Sequence, residues 1–248
     1  MGLLDIIYPR VCPVCAKPVR RDYLLKGENN NIPKDIGMEK LICPHCYNRL
    51  PFIKPPTCLK CGKHIEDGTK AYCADCDEKD RPFEKCISIM DYSDEIAGRM
   101  MWDLKYKNRR EYADLLALLI AQKNAAQIVS WRCDALVPVP VHPSKRKSRG
   151  YNQTELVANR LGELLDIPVK PQVLIRARRT APQKGLDADG RARNLKSAFA
   201  PGEEACPKRV ILLDDIYTTG ATMRVCTDVL LASGAQMVFG ICCCAGSN

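Results

Sequence analysis

Eight of the fifteen cysteines form four Cys-x-x-Cys pairs in the first third of the chain: Cys12/Cys15, Cys43/Cys46, Cys58/Cys61 and Cys73/Cys76. Two intervening residues let both thiolates of a tight turn face one metal ion, with backbone amides turned toward the sulfurs. Gly62, directly after Cys61, suits such a turn because glycine adopts positive φ without strain. Four thiolates complete a tetrahedral zinc ion, so eight predict two closed sites with a structural role. Clustered cysteines in a chain expected to be cytosolic favour metal ligation over disulfides, and the spacing favours zinc over redox pairs or an iron–sulfur centre. Grouping in chain order would set Cys12, Cys15, Cys43 and Cys46 on one ion and Cys58, Cys61, Cys73 and Cys76 on the other, a double zinc ribbon. A crossed grouping fits the same spacing. His45 and His64 lie beside the knuckles, but the sulfur count is already complete, and they are expected to be exposed bystanders.

The second string with chemical content is Val210–Met223, VILLDDIYTTGATM. An unbroken apolar run reads as a strand buried on both faces. Two carboxylates leave its end, and small hydroxyl residues and a glycine then enter a helix. At the carboxyl edge of a parallel sheet, the amides of Thr218, Thr219, Gly220, Ala221 and Thr222 can form a nest for a phosphate, assisted by the helix N-terminus. Gly220 permits close approach, and the threonine hydroxyls add donors. Asp214 and Asp215 can accept hydrogen bonds from vicinal ribose hydroxyls.

Three segments must position these groups. Residues 1–85 are rich in Cys, Pro and Lys, include the loop-like run Gly27–Pro33, and hold too little apolar material for a core without a staple. A helical stretch follows, from about Asp94 to Lys123, with Ser93 as N-cap and a break near Asn108. From Cys133 to the end, strand and helix alternate. Ala135–Val141 and Pro171–Ile175 read as strands, a helix capped by Asn152 or Thr154 runs to about Leu165, Arg176–Ala200 reads as a long loop, and a helix from Ala221 to Ser233 precedes a strand from Gln236. Cys242, Cys243 and Cys244 close that last strand as small buried hydrophobes. The alternation predicts a doubly wound α/β domain over residues 86–248.

The net charge is +9, with 15 basic against 12 acidic residues up to Lys85 and 23 against 17 beyond it. The excess concentrates in His142–Lys196, where 13 basic residues meet 5 acidic ones, and it suggests a polyanionic partner, either a phosphorylated small molecule or nucleic acid. No apolar run reaches the ~20 residues of a membrane helix, and Met1–Val11 lacks the features of a signal peptide. A cytoplasmic protein with no membrane insertion is expected.

Asp214–Thr222 resembles the phosphoribosyl pyrophosphate (PRPP) signature of type I phosphoribosyltransferases, with Tyr217 where those enzymes more often carry an aliphatic residue. Val137–Thr154 (VPVPVHPSKRKSRGYNQT), Arg179–Phe199 (RTAPQKGLDADGRARNLKSAF), the Cys-x-x-Cys head and Leu104-Lys105-Tyr106 resemble the ComF family of competence-related proteins over nearly the whole chain. The resemblance implies a five-stranded parallel core of the type I phosphoribosyltransferase class with a small zinc-ribbon domain before it. It implies PRPP, accompanied by Mg²⁺, on Asp214, Asp215 and the loop Thr218–Thr222. A pyrophosphate loop around Pro138–Pro143 would include Val139, and a mobile loop would lie within Arg179–Lys196. Arg149, Lys184 and Arg191 would neutralise the ligand, and Asp214, Asp215 and Arg191 are the candidate catalytic residues.

Type I enzymes form an oxocarbenium-like centre at the anomeric carbon, release pyrophosphate and admit a nitrogen nucleophile, largely through positioning and charge stabilisation. Nothing in the sequence identifies that nucleophile. Its recognition falls to a variable hood, whose place the zinc module and Ser93–Lys123 would take, and no glutamine-hydrolysing domain is present to supply ammonia. Two readings follow: a PRPP-binding protein or enzyme, or a single-stranded DNA-binding module working with DNA-uptake proteins. In the second, the ribbons and Lys145–Arg149 would grip the strand. Only Tyr106 and Tyr151 fall near the basic clusters in sequence, so the residues alone support that reading weakly.

Overall fold

The computed structural model of the chain describes residues 10–19, 37–79, 81–177 and 198–246. Gly27–Pro33, Lys184, Arg191 and the expected mobile loop lie outside them. The described elements are the one-turn helices α1 (Pro44–Tyr47) and α2 (Ala74–Glu78), β1 (Cys86–Asp91), α3 (Glu95–Tyr106), α4 (Tyr112–Ser130), β2 (Ala135–Pro138), α5 (Pro143–Arg149), α6 (Gln153–Leu165), β3 (Leu174–Arg176), β4 (Phe199–Pro201), β5 (Arg209–Tyr217), α7 (Ala221–Ala232) and β6 (Met237–Ala245).

Four parallel strands form the sheet in the order β1-β6-β5-β2. The fifth strand implied by the family resemblance is reduced to one parallel bridge beyond β2, Leu136 to Val169, held by Leu136 N–H to Pro168 O at 2.8 Å and Lys170 N–H to Leu136 O at 2.9 Å. Pro168 and Pro171 flank this bridge, and a residue without an N–H cannot extend a ladder. The expected strand Pro171–Ile175 therefore forms later, as β3, and pairs antiparallel with β4 outside the main sheet.

Each face of the sheet carries its own apolar cluster. Leu136, Ile211, Leu213 and Ile241 share one with helices α3, α4 and α6. Val137, Val210, Leu212 and Val238 share the other with α7 and the β3–β4 pair. In α3 the buried residues Ala97, Met100, Met101 and Leu104 recur at helical spacing, the stripe of a helix half in solvent. In α4 the run Leu115–Ile120 is buried on every side, as suits a helix with neighbours all round.

The break between these helices falls where expected, at Asn108, which has φ +54°. Their ends differ from the sequence reading. Asp94 caps α3 by accepting from Ile96 N–H at 2.8 Å, while Ser93 donates through Oγ to Asp91 at 2.7 Å and belongs to the preceding turn. Helix α4 runs on to Ser130 rather than stopping near Lys123. The basic segment after β2 contains α5, which starts at Pro143 with His142 accepting from Ser144 N–H. Cys242, Cys243 and Cys244 are buried in β6.

The described residues between 10 and 79 build no separate core. Cys12, Val14, Ile42 and Leu50 join the α3–α4 cluster; Cys58, Cys61 and Ile65 join the α7 cluster. This region also closes the free edge of β1: Ile53 N–H donates to Ile89 O at 2.9 Å, Asp91 N–H to Pro51 O at 2.9 Å, and Cys86 N–H to Lys60 O at 2.6 Å. An edge strand left open would present unpaired backbone groups to other chains.

Candidate functional site

The cysteines assemble in chain order. Cys12, Cys15, Cys43 and Cys46 form one cluster and Cys58, Cys61, Cys73 and Cys76 the other, with the sulfurs of each within 4.8 Å of one another. The crossed grouping is thereby excluded. Zinc–sulfur bonds of about 2.3 Å in a tetrahedron place sulfurs about 3.8 Å apart. Cys15 to Cys43 measures 3.9 Å and Cys61 to Cys73 3.6 Å, so both clusters fit structural zinc. His45 and His64 are exposed and join neither set.

Both clusters arise from one local design. Cys12 N–H donates to Lys17 O and Ala16 N–H to Cys12 O; Cys58 N–H donates to Lys63 O and Gly62 N–H to Cys58 O. The residue after the second cysteine takes positive φ in each, 56° at Ala16 and 75° at Gly62. A short bridge flanks each knuckle, Val11 with Pro18 and Thr57 with His64. The other pair of each cluster begins a single helical turn, with Cys43 capping α1 and Cys73 capping α2.

All four strands of the sheet end at the same edge, and there the carboxylates emerge. From β2 the chain moves outward to Val169, whereas from β5 it moves the opposite way to β6. The gap between β2 and β5 is therefore the topological switch point, where open parallel sheets bind ligands. Val139 sits there with its N–H on Leu213 O at 2.8 Å. Its carbonyl accepts from Thr154 Oγ1 at 2.6 Å and Asn152 Nδ2 at 3.1 Å, which fixes the loop after β2. Thr218 and Thr219 are exposed and Gly220 is buried. Gly220, at φ +72°, is the N-cap of α7 and offers no side-chain cap, so the first-turn amides have no partner within the helix.

Adjacent strand residues point to opposite faces, and the two aspartates differ accordingly. Asp215 meets Lys105 of α3 at 2.8 Å and accepts from Gln153 Nε2 at 2.5 Å; Arg149 donates to Gln153 Oε1. Asp214 is only 9% exposed and accepts from the Asp215 N–H at 2.8 Å. Burial, together with the neighbouring Asp215 charge, raises its pKa to about 7. Burial alone would lower Lys105, but the Asp215 carboxylate outweighs it and holds the ammonium above its ordinary range. The sequence reading left both carboxylates open to ribose. One is instead mostly enclosed, and the other is held in an ion pair.

Nothing in the linear sequence singles out Lys105 or Gln153 as site residues. Lys105 counted only as part of a resembling tripeptide, and Gln153 lay inside a helix cap. Tyr151, taken as a neighbour of the basic cluster, is buried with its hydroxyl donated to Leu104 O. Tyr106 and Trp102 are exposed aromatics one helical turn apart, with ring centroids at 4.3 Å, and the Arg149 guanidinium lies 5.4 Å from the Tyr106 ring. A cleft of about 900 Å³ opens between the two ribbons and the sheet edge, lined among others by Arg49, Lys54, Lys63, Asp91 and Gly246. Gly246 N–H donates to Tyr217 O at 2.8 Å, so the cleft reaches the loop that begins at Thr218.

No helix among the described residues is long and apolar enough to cross a membrane. Residues 33–77 match a family model described as a double zinc ribbon domain. The chain is 30% identical over 237 residues to DNA utilization protein YhgH of Salmonella typhimurium, covering 94% of this chain and 89% of that protein. It is 29% identical over 215 residues to Competence protein F of Haemophilus influenzae, covering 79% and 93%. It is 26% identical over 209 residues to Competence protein ComFC of Streptococcus pneumoniae, covering 81% and 86%. With two four-cysteine clusters heading a parallel α/β sheet, and likeness to these proteins over most of its length, the chain belongs to the ComF family.

Proposed function

We propose that the chain binds a ribose 5-phosphate-containing ligand, PRPP or a compound built like it, at the switch point between β2 and β5. The observation that carries this is the helix N-terminus at Gly220, uncapped by any side chain, with Thr218 and Thr219 exposed beside it. The 5′-phosphate would lie on the Thr218–Thr222 amides. Asp215 and the mouth of Asp214 would face the ribose, with Val139 and Arg149 on the pyrophosphate side. Magnesium would come with the ligand's phosphate oxygens, because the chain's own carboxylates are engaged, Asp215 by Lys105 and Asp214 by burial. Arg191 is the candidate cation to close over the ligand, and the cleft beside Gly246 is the natural entry for an acceptor. We assign residues 1–85 to the zinc module and residues 86–248 to the phosphoribosyltransferase-like domain. The reduced cysteines suit the cytoplasm. Relatives named for competence and DNA utilization support a role in DNA uptake or nucleotide metabolism.

Titration calorimetry with PRPP tests this. Saturable binding strengthened by Mg²⁺ is expected, and Asp215→Asn should abolish it. Absence of heat from the wild-type protein removes the proposal.

A second reading, single-stranded DNA binding, is favoured by the exposed Trp102–Tyr106 pair beneath Arg149. Stacked rings beside cations suit nucleobases and phosphates together. Affinity for a labelled oligonucleotide should fall steeply with salt and drop on Trp102→Ala; salt-independent or absent binding counts against it.

A further inference from the structure

Five residues beyond Cys76, the chain leaves the second ribbon through Arg81, which is 5% exposed. Its Nε has no hydrogen-bond partner, and Nη2 reaches only the Asp75 carbonyl, at 3.4 Å. Among the described residues no carboxylate forms an ion pair with it. The nearby Asp75 carboxylate is occupied by Lys79 at 2.9 Å and Lys63 at 3.7 Å. The guanidinium lies behind the loop at the head of α7: Nη1 is 3.0 Å from the point a Cβ on Gly220 would occupy. The Tyr217 hydroxyl abuts the same glycine, is buried, and also lacks a partner. A buried guanidinium stays charged and normally finds an anion. Two enclosed side chains beside one loop, each with a buried polar atom that has no protein partner, Arg81 Nε and the Tyr217 hydroxyl, mark a place where a ligand completes the hydrogen bonding.

We propose that Arg81, delivered by the second zinc ribbon, supplies the positive charge of a phosphate monoester subsite at Gly220, and that zinc in Cys58, Cys61, Cys73 and Cys76 therefore binds cooperatively with that phosphate. This rests on the ribose 5-phosphate reading and adds to it a positioning role for the metal. The coupling has a physical path. Phe83, fully buried two residues beyond Arg81, meets the Tyr217 ring edge-on with centroids 6.4 Å apart, and Lys63 in the knuckle lies 5.7 Å from the same ring. Loss of the metal would free Arg81 and Tyr217 together. The described residues of the first ribbon pack instead into the α3–α4 cluster.

The test uses full-length protein carrying both zinc ions, with ribose 5-phosphate as probe and unphosphorylated ribose as control. Arg81→Gln should weaken calorimetric binding roughly tenfold or more, as expected for a charge-assisted phosphate contact, and Tyr217→Phe should weaken it less. A variant that binds as tightly as wild type overturns the proposal and leaves the ligand site standing; wild-type protein that does not bind ribose 5-phosphate removes both. Linkage requires the reciprocal effect. During slow chelation, ribose 5-phosphate should protect Cys58, Cys61, Cys73 and Cys76 from thiol alkylation, but not Cys12, Cys15, Cys43 and Cys46, and Arg81→Gln should lose that protection. Equal protection of both clusters, or of neither, sinks the coupling.

Discussion

The two zinc ribbons share a turn, a flanking bridge and a one-turn helix, yet they are built into different parts of the molecule. The first lies against helices. Arg99 of α3 donates to Val14 O, Tyr47 donates to Gln122 of α4 at 2.9 Å, and Cys12, Met38 and Ile42 enter the α3–α4 cluster. The second lies against the sheet edge and the loop at Gly220, through Lys60, Phe83 and Arg81. One local design thus serves two ends, anchoring a helical layer in one case and backing the candidate ligand loop in the other. The metal knuckle dictates its own shape, whereas its surroundings decide what that shape supports.

Stripping both metals should have the largest effect. Structural zinc contributes about 10–16 kcal/mol in comparable modules, so chelated protein should lose the fold of the ribbon region by circular dichroism and become protease-sensitive there. Protein purified without chelator should carry two zinc ions, and metal analysis far below one per chain would refute the metal reading.

Next in size are two core truncations, one per ribbon. Ile42→Ala should cost about 2–5 kcal/mol and Phe83→Ala about 3–5 kcal/mol in denaturant melts. The contrast lies in ligand affinity: only Phe83→Ala should weaken ribose 5-phosphate binding. Equal effects of both on affinity would erase the distinction between the ribbons.

Asp214 should give a pH signature on the sheet side. Its folded pKa of about 7 exceeds the ordinary carboxylate value of 3.8, so between these pH values the folded state holds a proton that the unfolded chain has lost. Stability should therefore fall as pH rises from about 4 to 7 and stay low above that, a loss on the order of a few kcal/mol. Asp214→Asn should flatten this slope and raise the melting temperature at pH 8 while weakening ligand binding. A slope unchanged by the substitution would show that Asp214 does not carry it.

The smallest effect belongs to the first ribbon's surface. Arg10 and Asp114 lie 3.9 Å apart and are both well exposed, and Arg10→Gln should change stability by less than about 1 kcal/mol. A larger loss would mean that this ribbon depends on its rim as well as on its buried face.

Much of the architecture was legible because its signals are local. Val210–Leu213 could only be a buried strand, and four Cys-x-x-Cys pairs left few alternatives to zinc. What escaped was non-local. Lys105 lies 110 positions before the Asp215 it pairs with, and no spacing rule connects them. Trp102 joins Tyr106 on an exposed face only because Met101 and Leu104 take the buried one. Arg81 resembled any linker cation until folding enclosed it.

The order of residues alone supplies the chemistry at hand: eight thiolates for two metals, and a carboxylate–hydroxyl–glycine string at the end of a strand. Knuckles, caps and buried runs depend on neighbours within a few residues, so they survive in a linear reading. Tertiary structure alone decided which cysteines share an ion, which aspartate is enclosed and which is paired, and which cation stands behind Gly220. Those outcomes are set by burial and by contacts between distant segments, and such contacts form only when the two faces of the sheet are covered.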